Sequence, residues 1–96
     1  MARIIVVYDV SNDKARQRLA EALMRHGLKR IQRSAFAGSL PASKLKDVAR
    51  DAERIIDESR DVVHIIPLSD REWDNRVVLG KPLWGDLLGN KSIAII

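Results

Sequence analysis

The segment Arg3-Ile4-Ile5-Val6-Val7-Tyr8-Asp9-Val10 decides how the rest of the chain is read. It is apolar on both faces until Asp9, the pattern of a central strand buried on two sides. Immediately after it, Ser11 or Asn12 is placed to cap a helix that runs to about His26, and Gly27 ends that helix. Within the helix Ala15, Leu19, Ala22 and Leu23 gather on one arc. Lys14, Arg18, Glu21 and Arg25 lie opposite, with Glu21 and Arg25 at the favourable i,i+4 spacing. Arg16 is the exception, because it falls on the apolar side.

Residues 28–40 (LKRIQRSAFAGSL) read as strand, with Ile31 and Phe36 as apolar anchors. No Asn-Gly or Asp-Gly turn interrupts them, so one bent strand and a tight pair both fit. Pro41 and Ser43 open a second helix ending near Glu58, in which Leu45, Val48, Ala49, Ala52, Ile55 and Ile56 follow the helical period. Val62-Val63-His64-Ile65-Ile66-Pro67-Leu68 forms a last strand. The order β-α-β(β)-α-β predicts an α+β, ferredoxin-like βαββαβ domain with both helices on one sheet face. The other face is left bare, and a bare apolar face asks for a partner. The reading gives a single domain over residues 1–96, with a core over about 1–68 and a tail over about 69–96. Ser92-Ile93-Ala94-Ile95-Ile96 in that tail suits an extra strand that either folds back or is exchanged between protomers.

A chain of 96 residues holds one core and little more. It has no cysteine, which rules out a disulfide framework and a cysteine zinc site and suits a reducing cytoplasm. No apolar stretch reaches the roughly 18–20 residues of a membrane span, and the N-terminus reads as strand rather than secretory leader. The net charge of +4 is unevenly spread. Residues 1–40 carry eight Lys and Arg against three Asp and Glu, and most of those cations are Arg. Arg offers a planar donor fork suited to phosphate, so the bias points to nucleic acid; an ordinary solvated surface is the alternative.

Asp9 stands at the end of the first strand, before a loop and a helix, where ligand sites of α/β proteins gather. It is a candidate ligand for Mg2+ or Mn2+, since Mg2+ takes one or two carboxylates and fills its other positions with water and phosphate. Structurally, Asp9 would only favour the positive end of the helix or bind loop amides. Arg16 either reaches past the core to solvent or contacts phosphate beside Asp9. Arg18, Arg30 and Arg33 would extend a basic track. Tyr8 and Phe36 read most simply as core, and Ser34 as a strand hydroxyl. His26 faces a helix C-terminus, and His64 has no metal-ligating neighbour in sequence, which makes it structural. No nucleophile elbow, Walker loop or GxGxxG motif occurs.

Taken together, Tyr8-Asp9, Arg16 with Arg18, Gly27-Leu28-Lys29-Arg30-Ile31-Gln32, and Ser34-Ala35-Phe36-Ala37-Gly38 resemble the CRISPR-associated protein 2 family over about residues 3–80. Ala35 and Ala37 depart from that pattern, where Val is common at the first and a polar residue at the second. Virulence-associated ribonuclease toxins are a more distant resemblance. The family resemblance implies a homodimer with sheets face to face, Asp9 facing its twin and holding Mg2+ or Mn2+, and metal-dependent endonuclease cleavage of RNA or DNA. It implies catalytic roles for Asp9, Arg16 and Arg18, and nucleic-acid contacts from Tyr8, Arg16, Arg18, Arg30, Arg33, Ser34 and Phe36. It also implies a role in spacer acquisition beside an integrase subunit. A non-catalytic DNA-bridging adaptor is the second function class, and a small-molecule regulatory module on the same fold a remote third.

Overall fold

The computed structural model describes residues 1–82. The elements run β1 (Ala2–Asp9), α1 (Asp13–Arg25), β2 (Lys29–Gln32), β3 (Ala35–Leu40), α2 (Lys44–Ile55), β4 (Val62–Leu68) and α3 (Asp70–Asp74). The four strands form one antiparallel sheet in the order β2-β3-β1-β4. This is the ferredoxin-like plan expected from the element order. Residues 28–40 are a tight pair, not one bent strand: Arg33 and Ser34 make the turn, and the register slips between Arg30 and Gln32.

β1 lies between β3 and β4, so its period of two controls both faces of the sheet. Ile4, Val6 and Tyr8 point into a core completed by Leu19 and Leu23 of α1, Phe36 and Leu40 of β3, and Val48 and Ala52 of α2. Both helices therefore cover the same face. Arg3, Ile5, Val7 and Asp9 fall on the other face, in register with Leu68, Ile66, His64 and Val62 of β4. The expectation that β1 is buried on two sides is corrected here. Val7, Val62 and Ile66 each remain 40% or more exposed on the uncovered face.

Local chemistry sets the helix ends. Asn12 caps α1, its side chain accepting from the Ala15 amide at 2.9 Å. At the other end the Gly27 amide donates to the Met24 carbonyl and the Leu28 amide to the Leu23 carbonyl, which is a Schellman closure. It requires Gly27 at φ +95°. Gly38 is crowded for a different reason. A Cβ there would stand 2.9 Å from the Leu28 side chain, where β3 crosses the end of α1. α2 stops at Ile55, earlier than the expected Glu58, because Ile56 turns to extended backbone. Ala49 is exposed despite its place in the apolar period.

α3 was not expected from the sequence. Ser69 and Glu72 form a reciprocal capping box that starts it. Its Trp73 is buried, with the guanidinium of Arg3 at 5.6 Å and that of Arg76 at 4.1 Å from the ring centre. Arg3 also binds Asp70 at 3.2 Å, so α3 is tied to the start of β1. The expected strand over 91–96 and its exchange lie outside the described residues.

His26 does more than face a helix end. Its Nε2 meets Asp51 Oδ2 at 2.7 Å and joins α1 to α2. That hydrogen bond, ahead of other causes, holds the Asp51 carboxyl below its ordinary value. A depressed folded-state pKa stabilises the fold above the unfolded carboxylate value, and this stability is lost as pH falls through the folded value. The stability gap between wild type and Asp51→Asn, measured by urea denaturation, is therefore expected to be open at about pH 6 and to close progressively below about pH 4.

Candidate functional site

Asp9 is the last residue of β1 and is exposed on the uncovered face, beside Val62 of β4. Val10, which follows, is buried and anchors the chain before it enters α1. The Arg16 side chain returns from the first turn of α1 to this segment. Its Nη1 donates to the Val10 carbonyl at 3.1 Å and its Nη2 pairs with Asp13. The side chain is 42% exposed, so Arg16 both braces the Asp9 loop and keeps a solvent-facing edge.

The β2–β3 hairpin supplies the opposite wall. Arg30 lies over the Phe36 ring at 5.0 Å and donates from Nη1 to the Arg33 carbonyl at 2.8 Å. The same carbonyl accepts from the Tyr8 hydroxyl at 3.3 Å. The Tyr8 amide donates to the Ser34 carbonyl, closing the end of the sheet. Burial raises the Tyr8 pKa, while Arg30 and Arg16 pull it down less strongly, so the phenol stays a donor. The result is an open hollow of about 840 Å³ whose lining includes Asp9, Asp13, Arg16, Arg30, Arg33 and Ser34.

Three of the arginines expected in a basic track thus line one hollow together with three carboxylates, Asp9, Asp13 and Glu21. Arg18 does not line the hollow, because two residues beyond Arg16 is roughly 200° round a helix. Tyr8 and Phe36 need correction as nucleic-acid contacts. They are 3% and 0% exposed and stack on each other at 6.3 Å, so in this chain they pack beneath the hairpin rather than present their rings at the surface. Ser34 sits in the hairpin turn, not in a strand. His64 is exposed on the uncovered face opposite Val7, not packed as a structural residue would be. Among the described residues no three His, Cys, Asp or Glu side chains gather as a metal site. One chain alone therefore offers a metal only a partial set of donors; Asp9 fits the Mg2+ pattern when a second carboxylate and a phosphate join it.

Residues 1–76 match the family model described as CRISPR associated protein Cas2. The chain belongs to the Cas2 family. It is 40% identical over 75 residues to the CRISPR-associated endoribonuclease Cas2 1 of Archaeoglobus fulgidus, covering 78% of this chain and 80% of that one. It is 32% identical over 96 residues to the endoribonuclease Cas2 of Aeropyrum pernix, covering the whole of both. Among solved structures, Streptococcus pyogenes Cas2 superposes with a TM-score of 0.71 at 25% identity, over 81% of this chain and 99% of that one. A hypothetical protein of Thermus thermophilus superposes at 0.66 with 34% identity, over 71% and 82%. The resemblance read from the motifs is thereby established as family membership.

Several contacts had no local sequence signal. The Val10 carbonyl as acceptor for Arg16 and the Arg33 carbonyl as acceptor for Tyr8 and Arg30 are backbone partners. Phe36 is the test of the positioning role. Phe36→Ala is expected to destabilise the fold by about 3–5 kcal/mol in denaturant unfolding. A ligand-facing ring would cost little there.

Proposed function

We propose that this chain is the nuclease-type subunit of a CRISPR adaptation complex, working as a homodimer that cleaves phosphodiester bonds in RNA. The observation that carries the reading is the exposed carboxylate of Asp9, at the strand end, on the rim of a hollow where Arg16, Arg30 and Arg33 stand beside the acids Asp9, Asp13 and Glu21. Names of relatives as endoribonucleases support the choice of RNA. The uncovered face with Val7, Val62 and Ile66 supports the dimer, since apolar strands in water need a cover. Pairing two such faces would bring two copies of Asp9 to one interface.

Two Asp9 carboxylates would then hold Mg2+ or Mn2+ between the chains. Such an ion supplies a water of lowered pKa and neutralises charge on the reacting phosphate. The chain's own groups do the rest. Arg33 is exposed and free to bind a neighbouring phosphate, while Arg16 and Arg30 set a positive field around the scissile group. The buried Tyr8 and Phe36 keep the arginine-bearing hairpin at a fixed distance from Asp9.

A second role, bridging DNA beside an integrase subunit, is favoured by one observation. A relative in Thermoproteus tenax is a fusion named CRISPR-associated endonuclease Cas1/endonuclease Cas2, 35% identical over 71 residues, which cover 74% of this chain and 27% of that one. Joining two functions in one chain supports a physical partnership between the separate proteins. No helix among the described residues is long and apolar enough to cross a membrane, and a cytoplasmic place suits both roles.

Asp9→Asn is expected to abolish Mg2+-dependent cleavage of a labelled single-stranded RNA, with dimer and thermal stability unchanged. Equal cleavage by both proteins, each purified free of contaminating nuclease, would falsify the assignment. Salt dependence separates the arginines. Arg33→Ala is expected to lower the slope of log affinity against log salt for single-stranded RNA by about 0.7. Arg18→Ala, outside the hollow, is expected to leave that slope near wild type.

A further inference from the structure

Ser11, two residues beyond Asp9, is held by a group that no motif marks. The last ladder partner of Asp9 is Val62, and Asp61 immediately precedes Val62. Asp61 Oδ1 accepts from both the amide and the hydroxyl of Ser11, at 3.1 and 3.2 Å. Its Oδ2 accepts from the Asp57 amide at 3.0 Å. Arg60 Nη2 donates to the Ser11 hydroxyl at 3.0 Å from the same turn. One carboxylate thus ties the loop two residues beyond Asp9 to the turn that leads into β4.

We infer that Asp61 is a positioning residue for Asp9, acting through Ser11 to fix the direction in which the β1 carboxylate leaves the sheet. The loop between β1 and α1 is restrained on either side of Ser11, by the burial of Val10 before it and by the helix cap after it. Arg16 grips the Val10 carbonyl from the helix side, and Asn12 is committed to the cap. Ser11 lies between them, exposed, and the Asp61–Arg60 pair is what holds it. The amide donors at Asp57 and Ser11 hold the Asp61 carboxyl below its ordinary value, so it is an anion, and an acceptor on both oxygens, at neutral pH. Charge-assisted bonds of this kind orient better than neutral ones. Groups bonded directly to a metal ligand commonly change metal affinity or rate by about 10–100-fold when removed, and Asp61 acts one link further back, through Ser11, at the lower end of that range.

The inference rests on the metal-dependent reading of Asp9, and its test separates the two. Full-length wild type, Asp61→Ala, Asp61→Asn and Asp9→Asn are compared by amide hydrogen exchange, by Mn2+ titration followed by electron paramagnetic resonance, and by cleavage of labelled single-stranded RNA. In Asp61→Ala, Ser11 amide exchange is expected to accelerate about tenfold or more, while the amides of Ile4 to Tyr8 keep wild-type rates. Mn2+ affinity and kcat are expected to fall about tenfold at unchanged KM, because substrate binding by the arginines is untouched. Asp61→Asn keeps one acceptor oxygen for Ser11 and is expected to fall between the two. It decides the matter if Asp61→Ala does not fold. Unchanged Ser11 exchange, or wild-type kcat and Mn2+ affinity in a variant whose loop is released, overturns the inference. If wild type neither binds Mn2+ nor cleaves, the nuclease reading fails. The clamp is then judged on Ser11 exchange alone, where unchanged protection overturns it.

Discussion

The burial of Ile4, Val6 and Tyr8 is the constraint on which the rest of the molecule depends. These side chains alternate along the one strand that has neighbours on both edges. Once they enter the core under α1 and α2, the period of two leaves no freedom for Ile5, Val7 and Asp9. They must stand on the opposite face, whatever covers it. The face on which the carboxylate stands is therefore a by-product of core packing, while its direction at the strand end is left to the loop that follows. An acid at the end of an apolar strand is costly inside a core, and the alternation removes it without a separate device.

Around that carboxylate the chain divides two tasks that are easily confused. Arg30 and Arg16 face the hollow, yet each spends donors on a backbone carbonyl, at Arg33 and Val10. They shape the rim while lending it charge. Arg33 contributes its carbonyl to the structure and keeps its guanidinium exposed. Tyr8 and Phe36, which the motif groups with the arginines, lie beneath the surface and act only through where they place the hairpin. A motif records which residues belong together, not which of them meets a ligand.

The parts legible in the sequence are those with local causes. The apolar period of β1, the Asn12 cap, the Gly27 stop and the strand over Val62–Leu68 all announce themselves within a few residues. Residues 28–40 stayed open between one strand and two, because Arg33-Ser34 is not among the strong turn pairs. α3 had a signal, Ser69-x-x-Glu72, but lasts five residues and buries only Trp73, too little for a helical period. The pairs His26–Asp51 and Ser11–Asp61 join positions 25 and 50 residues apart. Nothing in a single sequence brings such positions together. Exposure of the uncovered face was legible from the element order, and yet it contradicted the two-sided burial inferred from β1 alone. The helices supply only one cover.

The sheet order also governs how the chain meets the ribosome. β1 is made before both of its neighbours, β3 and β4, the latter ending at Leu68. At about 5–20 residues per second, some 3–12 seconds of synthesis separate the strand from its second partner. Through that interval Ile4 to Val7 are held in a nascent chain with one edge or both unpaired. A strand so apolar is a template for the wrong neighbour, and in a cell making many copies that neighbour is another unfinished chain. The basic residues of the first forty give such intermediates like charge while they wait. The arginines that line the hollow of the folded protein thus also keep growing chains apart.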